Sequence, residues 1–426
     1  MGHAGERWRG IVDCFIMKKT FSGICLGLSF WAVQPAAWVQ AAPVSEAAAQ
    51  TPAQQVAWWT KVIAEHGSES GPYNQRAMAY AALGEFDAAL ADCTQAIALA
   101  PRDAVLYFNR AQVYAAQEKY ALMQQDCTQA IALDPRDPDF YLERGEADMA
   151  LGEVAQAVAD YSQALVLAPN QPLYLNKRGL AYNRQGNAVL ALEDFNQAIV
   201  LEPHVSALYS NRGSAYEVQG NLTAALADYR QALSLDAGNV FAKVGCGEVY
   251  RQQKKYDAAL AADNEALALA PQSLAALNSR GLVWQAMGKY EPALADFSQA
   301  IALAPDAPAA YVNRGEAYLA QGDAARALAD GAQAEALSPQ DPDVYFLQGR
   351  ALCALQRYEE AIAIYGKALA GHPYDAALYH ERAVAYDLAG KKELALADEG
   401  QALALEPSYA AAASHQQALQ AAGVAK

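Results

Sequence analysis

The residues in this sequence whose type and spacing could do chemistry are arginines and aspartates that recur at a fixed interval. Arg76, Arg110, Arg144, Arg178, Arg212, Arg280, Arg314 and Arg382 are each followed, sixteen residues on, by Asp92, Asp126, Asp160, Asp194, Asp228, Asp296, Asp330 and Asp398. Such a row is either catalytic machinery or a structural clamp. Two further segments lack both partners at once, carrying Cys246 with Ala262 and Gln348 with Ile364. Groups that appear and vanish together behave as a pair; joining each aspartate to the next arginine along would strand Asp228 and Asp330. The pattern therefore predicts ion pairs that set how helices pair, with a cost of about 3 kcal/mol for breaking one side.

Other reactive residues are sparse. Cys93 and Cys127 fall at equivalent places in successive segments, and equivalent stacked helices sit roughly 8–10 Å apart, beyond the ~7 Å Cα separation a disulfide spans. They, Cys246 and Cys353 read as small buried fillers. His66, His204, His372, His380 and His415 show no metal-ligand spacing, so neither metal nor cofactor is expected. The sequence contains no phosphate-cradling glycine loop, nucleophile elbow or Cys-x-x-Cys pair, and no catalytic residue is assigned.

The elements that must hold these groups are set by a repeat. Prolines stand at 101, 135, 169, 203, 271, 305, 339, 373 and 407, spaced by 34 residues except where Ala237 replaces one. With each proline at position 32, ten repeats start at Ser70, Ala104, Pro138, Pro172, Ser206, Val240, Leu274, Pro308, Pro342 and Ala376, covering 70–409. Position 27 is always Ala, position 20 is Ala except for Met123, and position 8 is Gly or Ala, so helix backbones can approach closely while larger residues at 4, 11, 17 and 24 fill the grooves. Ala-rich amphipathic segments at positions 3–14 and 17–30 flank position 15, a glycine in seven repeats. That is helix, turn, helix.

With these residues in register, the chain resembles the tetratricopeptide repeat family. Repeat five carries Tyr209, Gly213, Tyr216, Ala225 and Tyr229, with Ala237 where the family has Pro; arginine at position 7 departs from the family's leucine. The resemblance implies an all-α, right-handed superhelical α-solenoid that binds a protein or an extended peptide. It also implies that positions 2, 5, 6, 9 and 12 line a concave groove. There the candidate contacts are Asn109, Asn176, Asn211, Asn278 and Asn313, whose amides both donate and accept, with Phe108, Phe241 and Phe346 as exposed apolar anchors. The position 6 asparagines, Asn109, Asn211 and Asn313, resemble a broken form of the ladder in the repeat arm of the O-linked N-acetylglucosamine transferase family. The paired Lys and Arg of the chaperone-tail groove are not matched.

A single repeat cannot shield its own apolar face, so both ends need covers. Residues 53–69, with Trp58 and Trp59, predict a capping half-repeat, and residues 410–426 a closing helix. Leu235 to Asn239, where proline is missing, predicts a softer joint between repeats five and six.

Met17-Lys18-Lys19, the apolar run from Phe21 to Val33 and the small residues at Val39-Gln40-Ala41 read as a secretory signal over 17–41, cleaved after Ala41; an uncleaved anchor is the alternative. Residues 1–16 then form an upstream extension from an early start, and 42–52 a linker. Net charge −16 gives no basic footprint for nucleic acid or anionic lipid, and no stable membrane insertion is expected after cleavage. The sequence leaves the oligomeric state open. The expected protein is an exported, non-enzymatic scaffold or adaptor of the bacterial cell envelope, periplasmic or extracytoplasmic. The alternative is an accessory subunit docking substrate to envelope polymer assembly or secretion machinery.

Overall fold

The computed structural model describes residues 50–424. The upstream extension, the signal segment and nearly all of the linker lie outside the described residues. Among the described residues the chain is all helix. It runs from α1 (Pro52–His66) through ten helix pairs, the first being α2 (Ser70–Ala82) with α3 (Phe86–Leu99) and the last α20 (Ala376–Leu388) with α21 (Lys392–Leu405), to α22 (Ala410–Val424). The chain is a helical-repeat solenoid.

Each pair is an antiparallel hairpin, and in most repeats its two helices pack more closely on each other than on the neighbouring pairs of the same unit. The alanines at positions 20 and 27 are the reason. Ala89 and Ala96 in repeat one, and Ala395 and Ala402 in repeat ten, are wholly buried, and their small side chains let neighbouring backbones come together. Every turn residue at position 15 adopts the left-handed conformation. Seven are glycines, such as Gly220 at φ 79°, and the other three are Glu118 at 56°, Lys254 at 60° and Gln356 at 61°. A side chain there costs about 1 kcal/mol that glycine avoids. Lys254→Gly should therefore raise stability by about 0.5–1 kcal/mol in denaturant titration.

In repeats one to five, seven and nine, position 8 packs against position 24 of the same repeat, and the two sizes answer each other. Gly179 faces the buried ring of Phe195, and a Cβ placed on Gly179 would lie 2.7 Å from its Cε1; Gly213 and Tyr229 repeat the arrangement at 2.8 Å. In repeats one and two, where position 8 is Ala77 or Ala111, position 24 is the smaller Cys93 or Cys127. Cys93, Cys127 and Cys246 are buried and Cys353 is half-buried; burial pushes the Cys93 thiol up to about 12. Cys93, Cys127 and Cys353, each raised by burial, are packing residues without thiolate character at neutral pH.

Repeat six breaks the rule by placing Asp263, fully buried, opposite Gly247. Burial raises this carboxyl well above its usual range. A carboxyl raised on folding favours the native state only while protonated, so its penalty is absent below the unfolded value near pH 3.9 and grows as pH rises toward the folded one. Asp263→Asn should stabilise the protein by about 1–2 kcal/mol at pH 7 and by nothing below about pH 3.5, in melts taken across pH.

The chain divides into two compact units between Asp236 and Ala237. That division falls within the segment where the proline is missing. In the first unit, α1 starts at Pro52, one residue before the expected boundary. It is held by a capping box in which Thr51 and Gln54 satisfy each other's backbone N–H groups. Trp58 and Trp59 are half-buried, and α1 packs against α2. In the second unit, α22 seats Ala412 and Leu419 against repeat ten. No helix among the described residues is long and apolar enough to cross a membrane.

Candidate functional site

The arginines at position 7 and the aspartates at position 23 meet in all eight repeats that carry them. In repeat one, Arg76 Nε donates to Asp92 Oδ2 at 2.7 Å and Nη2 to Oδ1 at 2.8 Å. Arg110 holds Asp126, Arg144 holds Asp160 and Arg178 holds Asp194 in the same two-pronged way. Arg212 with Asp228, Arg280 with Asp296, Arg314 with Asp330 and Arg382 with Asp398 complete the set. The fork matches a carboxylate geometrically, and each aspartate is buried while its arginine keeps a small window to solvent. In repeat nine Gln348 stands in for the arginine and donates to Glu335 Oε2 at 2.8 Å.

Two further features of these arginines escaped the sequence reading. Most are flanked by tyrosines at positions 4 and 11; Arg314 lies 5.9 Å from the ring centres of both Tyr311 and Tyr318. The remaining nitrogen, Nη1, reaches back to position 25 of the preceding repeat. Arg212 meets Asn196 Oδ1 at 2.7 Å, Arg280 meets Asn264 at 2.7 Å and Arg76 meets Thr60 on α1 at 3.1 Å. The side chain that clamps one hairpin thus also ties it to its neighbour. At Arg382 the facing residue is Gly366, which has no side chain to accept. The signal was available: position 25 is a short polar residue, such as Thr94, Thr128, Ser162 or Ser298, ahead of an arginine.

The candidate groove residues sort into two groups. Asn109 donates to Asn74 Oδ1 at 3.0 Å, and Asn211 donates to Asn176 Oδ1 at 2.8 Å. These asparagines are half-buried and join neighbouring first helices. Asn278 and Asn313 are a correction, because both are buried: helix packing in repeats seven and eight closes over them, and they do not line an open surface. The phenylalanines need correcting as well, since none is exposed. Phe108 packs on Phe140 with ring centres 5.0 Å apart, Phe346 packs on the cluster around Tyr345 and Tyr365, and Phe241 is half-buried. Position 5 points toward the next hairpin, so an apolar ring there is spent on stacking.

What the first-helix side offers in the first unit is a mixed surface. Gln75, Gln112, Val105 and Leu173 are exposed there, beside the two asparagine pairs. First helices of successive repeats also touch one another more than second helices do, so this face is the more closely packed side of each stack. Repeat three adds acidity: Tyr161 donates to Glu146 Oε1, Lys177 pairs with Oε2 at 2.8 Å, and burial raises nearby Glu143 to about 7.

The histidines show no metal-ligand spacing in sequence, yet the structure brings two of them together. His380 on α20 and His415 on α22 both point Nδ1 at Glu399 Oε1 on α21, at 2.8 and 2.5 Å. The sequence spacing looked meaningless because ligands on one helix recur at three or four residues, whereas here contact is made between stacked hairpins. The interval of 35 residues separating His380 from His415 is the same one that joins Asn74 to Asn109, Asn176 to Asn211 and Asp139 to Tyr174.

An array of clamped helical hairpins, with a polar first-helix face and helices throughout the described residues, is a helical-repeat interaction scaffold. The chain belongs to the tetratricopeptide repeat family. Tetratricopeptide repeat models match residues 72–103, 104–137, 206–239, 247–312 and 342–370, and a TPR repeat model matches 145–186. No curated protein matches the chain. Among solved structures it is similar to a tetratricopeptide repeat protein from Parabacteroides merdae, at 20% identity and TM-score 0.51 over 59% of this chain and 99% of that one. It is also similar to yeast Tom70, at 15% identity and TM-score 0.51 over 86% and 92% of the two chains. Cut9 in its complex with Hcn1 gives 14% identity and TM-score 0.52 over 86% and 93%. These likenesses concern the fold.

Proposed function

We propose that this chain is an exported scaffold of the bacterial cell envelope that binds a protein or extended peptide along its first-helix face and catalyses no reaction. The observation that carries the reading is the amide-rich face of the first unit, where Asn74 with Asn109 and Asn176 with Asn211 present side chains that pair with each other and retain further donors and acceptors. An amide uses one of its two N–H groups in such a pair, so the other is available to a backbone carbonyl of an extended ligand. The exposed Val105 and Leu173 beside them offer apolar contact. Export rests on the signal-type sequence over 17–41.

Two measurements test this. Mass spectrometry of the protein recovered from cells should give a mature amino terminus at Ala42; a retained Met17 start found in the cytosol would refute export. Asn109→Ala together with Asn211→Ala should weaken partner capture by at least about tenfold with helicity unchanged, since each lost amide contact is worth roughly 1 kcal/mol. Unchanged capture would move the site elsewhere. Recovery of the chain in a stable complex with a membrane-bound polymerising or secretion enzyme would favour the role of accessory docking subunit over that of free adaptor.

A further inference from the structure

Position 24 is a packing position in this array. It holds an aromatic ring in repeats three, four, five, seven and nine and a buried cysteine in repeats one and two. In repeat ten the same place is taken by Glu399, which is 0% exposed. A carboxylate so enclosed is costly unless something compensates it. Two imidazoles do so from either side: His380 Nδ1 at 2.8 Å and His415 Nδ1 at 2.5 Å, both toward Oε1. The second carboxylate oxygen, Oε2, is buried with no hydrogen-bond partner. The three donors lie within 4.8 Å of one another. Asp387 Oδ2 stands 3.5 Å from His415 Nε2, on the far side of that ring.

We propose that His380, Glu399 and His415 bind one divalent transition-metal ion, with Zn2+ the best match, and that the ion fastens α22 to repeat ten. Two imidazole nitrogens and a carboxylate oxygen are a zinc-type donor set, whereas Mg2+ and Ca2+ favour oxygen alone. Zinc bonds of about 2.0–2.1 Å in a tetrahedron place donors roughly 3.3 Å apart. The histidine nitrogens must therefore withdraw from Oε1 by about 0.5–0.8 Å, releasing their protons as the ion enters. Both imidazoles reach the surface, at 14% and 20% side-chain exposure, so the ion has a way in. Asp387 is placed to hold the His415 ring from outside, as carboxylates behind metal-bound histidines do. A water completes the fourth position.

The test uses the full chain without an affinity tag, stripped with chelator and titrated with Zn2+ in a calorimeter, alongside Co2+ absorption spectroscopy. The expected result is about one ion per chain, a melting temperature raised by several degrees in Zn2+, and the intense visible bands of four-coordinate Co2+. His415→Gln and Glu399→Gln should each weaken Zn2+ binding by more than about 100-fold while circular dichroism stays helical. His372→Gln serves as the control, since that ring lies on Gln340 O elsewhere in the fold. Absence of uptake, weak six-coordinate Co2+ bands in the unaltered chain, or uptake unaffected by both site variants would overturn the proposal. Should either variant lose helicity, the Co2+ spectrum of the unaltered chain decides alone.

Discussion

Arg144→Leu is expected to lower the stability of its region by about 2–4 kcal/mol, with little of the loss regained by Arg144→Lys. Arg144 grips Asp160 through two bonds of 2.6 Å, and the aspartate side chain is 8% exposed against 25% for the arginine. Removing the guanidinium leaves a buried anion; the part of Arg144 that remains in solvent moderates the cost below that of a fully enclosed pair. Lysine restores charge but not the fork, nor the stacking on Tyr141 at 5.8 Å. Removing both partners should cost far less than removing one, and repeat six already lives with Cys246 and Ala262 in these places. Arg144→Leu with Asp160→Ala should thus recover most of the stability. Because each repeat contacts only its neighbours, hydrogen exchange should show the loss in repeats two to four and not in repeat eight. A double variant no better than the single one would remove the clamp from the account.

Gly179→Ala is the second large effect, at about 3 kcal/mol. The added methyl falls 2.7 Å from Phe195 Cε1, and Phe195 is fully buried with no room to withdraw. Phe195→Cys alone should cost a similar amount through the cavity it leaves. When Phe195→Cys is already in place, however, Gly179→Ala should cost less than about 1 kcal/mol, because the pair then reproduces the alanine-and-cysteine packing of Ala77 with Cys93. Denaturant titration of the four proteins gives the coupling directly. Simple additivity would mean that positions 8 and 24 do not answer each other in size.

The hairpins and their clamps could be read from residues because they depend on short-range periodicity. Proline, glycine and alanine at fixed places report helix ends and close contacts within 34 residues, and one repeat can be compared with the next. Contacts between hairpins were less legible. Arg212 binding Asn196 behind it, Phe108 lying on Phe140 and Asn278 being covered all depend on which way a first helix turns its sides toward its neighbours. Family resemblance gave positions for a groove but not their burial in this chain, whose large position 5 side chains stack inward. His380 and His415 were missed for the same reason: the interval that unites them carries meaning only once the stacking offset is known.

The proposal that a partner docks on first helices is tested most directly by a photoreactive residue placed at one surface or the other in living cells. Gln112 is exposed on the first helix of repeat two, and Val200, 81% exposed, lies on the second helix of repeat four. Crosslinking from position 112 to a specific partner peptide, with little or none from position 200, is the predicted outcome. Equal crosslinking at both places, or capture from position 200 alone, would contradict it.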